Sequence, residues 1–357
     1  VYAVGCAGAL RHSRFVRWIP HEETGTEPEA WLSWLLDGGR TRLGGAVLLP
    51  CNDEAVELIA KNRAALGDHF VLPDADEVAL AMLDKARLYD VASRIGIPTP
   101  RTWIVNGRRD LVAALPELSY PCILKPRVSH AFRKRFGAKV FVAGDERQLL
   151  ERFDDSDAAG LQMILCEIVP GNDDQYCSYW TYVDGAGKPR FHMTKRKLRQ
   201  YPVHFGGGTF HVTEWNAEVA EIGLRLVTGA GLRGLAAVEF KRDCRDGELK
   251  LIECNVRFTS AIEIAPRSGT DLALLVYNDL TGRPLPATNG FRDGVTLWFP
   301  FLDYCALRSY RSAGELSLAD WLRTLRGRPS VAWLHWTDPF PAIAAGYDRL
   351  RRGSVAS

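Results

Sequence analysis

Glu239 and Glu253 are the residues of this chain best placed to do chemistry together. They lie in two apolar runs, Gly-Leu-Ala-Ala-Val-Glu-Phe-Lys at 234–241 and Glu-Leu-Lys-Leu-Ile-Glu-Cys-Asn-Val-Arg-Phe at 248–258. Asp246-Gly247 between the runs is a strong hairpin signal, because both residues tolerate the left-handed backbone of a tight turn. Folding there sets Glu239 opposite Glu253, to within one residue of register. Side chains alternate along a strand. Glu253, Asn255 and Arg257 therefore share one face, and Ile252, Cys254 and Val256 the other. Two carboxylates facing each other on paired strands repel, and an uncompensated charge in an apolar strand is costly. A divalent cation answers both problems. Two carboxylates and an amide form an all-oxygen set that suits Mg²⁺ or Mn²⁺ rather than zinc. Arg257 adds a planar cation aimed at the same place. The alternative is a solvated hairpin face with stray acids, and the apolar residues at the intervening positions weigh against it.

Cations elsewhere could answer an anion. Lys125 closes the apolar run Pro-Cys-Ile-Leu-Lys-Pro, so its ammonium must reach a phosphate or water. Lys85 opens a helix after Leu83-Asp84 and, taken alone, is an ordinary helix lysine. The segment 127–139 carries Arg127, His130, Arg133, Lys134, Arg135 and Lys139 around Ser129 and Gly137. It reads as a basic loop between two strands, able to close over a polyphosphate or to stand in solvent. Lys195, Lys197 and Arg199 alternate onto one face just before Gly206-Gly207-Gly208. Arg196, Arg199, Tyr201, His204, His211 and Arg267 form a basic, aromatic-flanked region that points to an anionic substrate. Cys166–Gly171 reads as a hinge, a strand running into proline and glycine. The triple glycine lacks the lysine and hydroxyl of a Walker loop. No Gly-x-Gly-x-x-Gly follows the first strand, and no Gly-x-Ser-x-Gly elbow is present. His192, His204 and His211 are spaced too irregularly for a zinc site.

These groups need a scaffold of strands. Val1–Val4 and Ala46–Leu49 read as buried strands, and Pro28–Leu36 and Glu54–Leu66 as helices, the second capped by Asn52 or Asp53. Together they predict a small parallel α/β unit. A helix over Leu83–Ile95 stops at Gly96 before Pro98 and Pro100. Strands follow at Trp103–Val105, Cys122–Leu124, Lys139–Val142 and Leu161–Val169, with a helix over Glu146–Phe153. Gln175–Val183 and Pro189–Arg199 form a hairpin about Asp184-Gly185. Helices Ala217–Val227 and Leu272–Leu280 flank the acidic hairpin. Residues after 291 read as a small appendage.

At 357 residues the chain exceeds one ordinary core. A formal net charge of +2 provides no field for nucleic acid or a membrane surface. No apolar run reaches the length of a membrane span. Eight scattered cysteines without Cys-x-x-Cys fit a reducing cytoplasm. The chain begins at Val1, directly in a strand-like run, as expected if some natural N-terminal sequence is missing.

In order, these motifs resemble the ATP-grasp superfamily over about residues 1–285. Lys85 before Gly96-Ile-Pro-Thr-Pro is similar to its phosphate-binding lysine, and Lys125 to its second ATP lysine. Glu167, Val169 and Asp174 are similar to a hinge in which an acid and a backbone amide meet adenine and a later acid meets ribose. Glu239, Glu253 and Asn255 resemble the metal set, and Arg257 the arginine on the transferring phosphoryl group. The resemblance also implies a catalytic role for Lys195 and a nucleotide contact for Lys197. Two departures stand out: Val256 replaces a frequent proline, and the phosphate loop is basic rather than rich in glycine and serine. Within the superfamily the chain looks most like the carboxylate–amine ligases, including D-aspartate ligase-like and carbamoyl-phosphate-synthase-like members. The resemblance implies an α/β ATP-grasp fold with an N-terminal Rossmann-like unit. Its divisions would be 1–84, subdomains at 85–166 and 167–290, and the appendage at 291–357. It further implies ATP and Mg²⁺ or Mn²⁺, a small-molecule carboxylate and amine as substrates, and a homodimer as one open assembly.

Overall fold

The computed structural model describes residues 1–4, 8–25, 27–74, 76–286 and 290–351, so Cys6 lies outside the described residues. The N-terminal unit pairs β1 (Tyr2–Val4) with β2 (Arg17–Ile19) in parallel. The run Ala46–Leu49 contributes a single parallel bridge, Val47 to Val71, rather than a strand. The helix read over Glu54–Leu66 breaks at Asn62, and a separate short helix precedes the one read from Leu83. Asn62 leaves helical geometry (φ −119°, ψ 24°) between the helices Asp53–Lys61 and Arg63–Gly67. Asp84 (φ −83°, ψ 111°) divides Glu77–Leu83 from Lys85–Arg94, and its carboxylate caps the second by accepting from the N–H groups of Ala86 and Arg87.

Four antiparallel strands follow: β3 (Thr102–Val105), β4 (Cys122–Pro126), β5 (Phe141–Ala143) and β6 (Met163–Glu167). Their spatial order is β3-β6-β4-β5. The basic segment between β4 and β5 is not a loop. It forms a helix, Ser129–Phe136, stopped by Gly137 in the left-handed region (φ 67°). Phe132 and Phe136 share one helix face at i, i+4. Both pack on Phe141, with ring centroids 4.9 and 5.0 Å away.

The second sheet holds seven strands. They are β7 (Tyr176–Val183), β8 (Pro189–Tyr201), β9 (Gly207–Thr213), β10 (Gly234–Arg242), β11 (Leu249–Asn255), β12 (Thr296–Trp298) and β13 (Ser330–Val331). Their order is β11-β10-β7-β8-β9-β12-β13. The segment after 291 therefore does not stand apart, because β12 pairs with β9 and completes this sheet. The helix Pro300–Ser312 sends the fully buried Asp303 under it. Asp303 accepts from both Nε and Nη2 of Arg199 at 2.8 Å, and from Thr209, Trp298 and Trp321. An ionised group this deep is tolerated because every lone pair finds a donor.

Candidate active site

The two sheets and the N-terminal unit enclose a cavity of about 820 Å³. Its floor is the second sheet, whose registers set side chains in rows. Nearest the hinge, Lys241, Tyr176 and Lys197 lie side by side, with His211 next to Lys197. The hinge itself is tied to this row, since Lys241 Nζ donates to the Val169 carbonyl at 2.9 Å. The second row runs Glu253, Glu239, Ser178, Lys195. A third holds Asn255, Ala237 and Trp180. All these residues line the cavity.

β10 and β11 pair with Glu239 opposite Glu253, and a bulge beside them leaves Ile252 without a partner. Ile252 consequently lines the cavity as well, whereas Cys254 and Val256 turn to the core. Asn255 Nδ2 donates to Glu253 at 2.9 Å. Burial would push the Glu253 carboxyl up, but Lys139, Lys85 and Asn255 outweigh it and hold the pKa down at about 2. Glu239 faces the Lys197 ammonium at 3.0 Å.

The opposite wall carries further cations. Lys125 Nζ donates to the Tyr89 hydroxyl at 2.7 Å, and Lys85 Nζ to the Ser129 hydroxyl at 2.7 Å. Burial lowers the Lys85 pKa to about 8, against the pull of Glu253. Arg133 and Lys139 line the same wall, and burial lowers the Lys139 pKa too. Arg127 instead pairs with Asp84 at 2.6 Å, and Lys134 with Glu27 at 2.6 Å. Hence the basic segment delivers only part of its charge to the cavity.

Arg257 lines the cavity and donates through Nε to Asp53 at 2.5 Å. Asp53 arrives from the N-terminal unit, at the start of its helix. Glu167 lines the cavity, but its carboxylate already accepts from the Arg101 N–H at 3.0 Å and pairs with Arg245 at 2.9 Å. Val169 lines the cavity, whereas Asp174 stands outside its lining. Its neighbour Gln175 donates to it at 3.2 Å instead.

Arg199 does not share the face of Lys195 and Lys197 that its spacing predicts for it. A bulge at Leu198 reverses the alternation of β8, turning Arg199 to Asp303 and Gln200 to the cavity. Of the basic, aromatic-flanked set, His204 and His211 reach the cavity, while Arg196 pairs with Glu214 and Arg267 with Glu263. Sequence reading also missed two residues. Lys241 follows Glu239 by two positions, so alternation could have found it. Asp53 carries no local signal, because its partner is 204 residues away.

Among the described residues, no group of three or more His, Cys, Asp or Glu is placed to hold a metal. Glu239, Glu253 and Asn255 supply two carboxylates and an amide, which suits a hard cation that shares its ligands with phosphate oxygens.

Two sheets enclosing a cleft, with paired acids on one side and lysines on the other, form an α/β structure with the ATP-grasp fold. No family model matches the chain. It is 26% identical to the D-aspartate ligase of Enterococcus faecium (strain Aus0004) over 247 residues, 65% of this chain and 58% of that protein. The chain spans about half the length of the curated relatives it matches. The biotin carboxylase–β,γ-ATP complex from Campylobacter jejuni superposes with a TM-score of 0.64 at 15% identity, covering 83% of this chain and 68% of that one. The L-amino acid ligase from Bacillus licheniformis gives a TM-score of 0.57 at 19% identity, covering 79% and 68%.

Proposed function

We propose that this protein is an ATP-dependent ligase that joins a small-molecule carboxylate to an amine through an acylphosphate. The observation that carries the reading is the in-register pair Glu239–Glu253 beside Asn255, facing a wall of buried lysines across one cavity. The donor set fits Mg²⁺ (or Mn²⁺): Glu253 is held ionised, and Glu239 already attracts a cation, the Lys197 ammonium. A bound Mg²⁺ would be held by Glu239, Glu253 and Asn255, and would neutralise charge on the β- and γ-phosphate oxygens.

The remaining roles belong to this chain's side chains. The hinge around Val169 offers backbone groups to the adenine edge. Lys85, Lys125 and Lys197 hold the phosphate chain. The substrate carboxylate attacks the γ-phosphorus and breaks its bond to ADP. Arg257 stabilises charge on the transferring group, then on the oxyanion formed when the amine attacks the acyl carbon. Phosphate leaves with the C–O electron pair, the amine nitrogen loses its proton, and an amide remains. Enclosure by the two sheets limits water, which would hydrolyse the acylphosphate.

The relatives named above, a D-aspartate ligase and an L-amino acid ligase, support amino acids as substrates. A reducing, ATP-supplied compartment such as the cytoplasm fits the seven free cysteines among the described residues. No helix among them is long and apolar enough to cross a membrane. The test is Mg²⁺-dependent ADP release with pooled acids and amines, followed by mass analysis. An amide product is expected. A carbamate or a phosphate ester would overturn the ligase assignment.

A further inference from the structure

Lys195 is a buried ammonium without a counter-ion. It is 4% exposed, and among the described residues no carboxylate lies within ion-pair distance of it, whereas its neighbour Lys197 has Glu239. Its contacts are neutral. Nζ stands 5.1 Å from the centroid of the Trp180 ring and 3.2 Å from His211 Nδ1. Burial and the adjacent lysines hold His211 well below its ordinary pKa, so the imidazole is uncharged and Nδ1 accepts. The backbone is shaped to admit that ring: a Cβ on Gly208 would lie 2.1 Å from its Cε1. One of the three N–H groups of Lys195 is thus spent on His211. Leaving a desolvated ammonium this incomplete is costly unless a ligand supplies the anion.

Its place in the floor says which anion. Lys195 shares the row of Glu239 but sits two strands away, about 10 Å along the sheet. The row on the hinge side, Lys241–Tyr176–Lys197, meets a nucleotide extending from Val169 first. On its other side Lys195 borders the row of Trp180 and Ala237, which carries no cation. A phosphate chain that ends at the metal acids leaves Lys195 facing the space beyond it.

We propose that Lys195, held by Trp180 and His211, is a binding subsite for a carboxylate of the acid substrate. The inference rests on the ligase reading and specifies where that substrate is anchored. Burial lowers the Lys195 pKa to about 8, so an arriving carboxylate restores the ammonium and draws in a proton above that pH.

The experiment is calorimetry on wild type and Lys195→Met. Methionine keeps the length and removes a buried charge, which favours folding. D-aspartate, D-alanine and malonate are titrated with and without Mg²⁺ and the non-hydrolysable nucleotide AMP-PNP. At least one acid is expected to bind wild type. Lys195→Met should weaken that acid about tenfold or more while AMP-PNP affinity stays within about twofold. At pH 8.5, two buffers of different ionisation enthalpy should reveal more proton uptake with the acid in wild type than in the variant. Lys195→Arg, which keeps the charge, should recover part of the affinity. The proposal is overturned if no acid binds wild type, if wild type and variant bind equally, or if the variant loses AMP-PNP instead. A protein that binds the acids but no AMP-PNP fails the ligase reading, while the nucleotide-free titrations still decide Lys195.

Discussion

Replacing Glu253 by glutamine separates the chemistry of this carboxylate from its share of stability. Its pKa lies at about 2 instead of 4.5, because Lys139, Lys85 and Asn255 overcome the burial that opposes them. That displacement corresponds to about 3 kcal/mol of interaction with the ionised form. The cavity admits water, so screening reduces the real value to on the order of 1–2 kcal/mol. The folded pKa lies below the unfolded one. The contribution is therefore present above about pH 4.5 and is lost as pH falls toward 2. Glu253→Gln should thus melt only a few degrees lower at pH 7, and the difference should shrink in acid. Turnover should fall by about 100-fold or more, roughly 3 kcal/mol of transition-state stabilisation. The assay couples ADP release to a Mg²⁺ titration, with melting curves at pH 7 and pH 4. Near-normal Mg²⁺-dependent turnover would refute the metal role. A large loss of stability at pH 7 with unchanged kcat would show that Glu253 serves only to balance the lysines.

Lys125→Ala should weaken ATP binding about tenfold or more by calorimetry, since its buried ammonium faces the cavity from the Tyr89 hydroxyl; unchanged affinity would return it to a structural role. Arg257→Lys keeps the charge but loses the planar fork, so kcat should drop about 10- to 100-fold with little change in KM for ATP; steady-state kinetics showing the reverse would make Arg257 a ground-state contact. Lys85 loses its proton near pH 8, so ATP affinity should decline as pH rises through that value, and a flat profile across pH 7–9.5 would contradict the phosphate contact. Asp303→Asn breaks a two-point pair with a buried arginine and should destabilise by about 3 kcal/mol or more in urea unfolding; a variant as stable as wild type would mean that the neutral amide satisfies the same donors.

Much of the site was legible because strand chemistry is local. Period-two alternation and Asp246-Gly247 bring Glu239 to within one residue of Glu253 and put Asn255 and Arg257 on the face of Glu253, while the bulge at Ile252 sets the two carboxylates directly opposite. The apolar run ending in Lys125 and the Pro-Gly after Val169 are equally local. The helix Ser129–Phe136 could also have been read, from Phe132 and Phe136 at i, i+4 and from Gly137, had the charges not suggested a loop. Its charges face several neighbours, and only contacts such as Arg127–Asp84 decide which of them reach the cavity.

Tertiary structure decided the rest. The bulge at Leu198 swings Arg199 from the cavity to Asp303, and nothing in the polarity pattern marks it. A bulge sets two residues of one strand opposite one of its partner, so its position is defined only once the two strands are paired. Asp53 reaches Arg257 across 204 residues, and only packing of the N-terminal unit on the second sheet brings them together. Asp174 illustrates the converse. Its spacing from Glu167 fits a motif, yet the short turn at 173–175 turns inward through Asp173, which accepts from the His204 N–H and the Tyr310 hydroxyl. The sequence by itself determined, to within one residue of register, which residue types face one another across a hairpin, because that follows from backbone periodicity. Which of the many cations enter the site was decided by bulges and long-range ion pairs, whose energies exist only once distant segments meet.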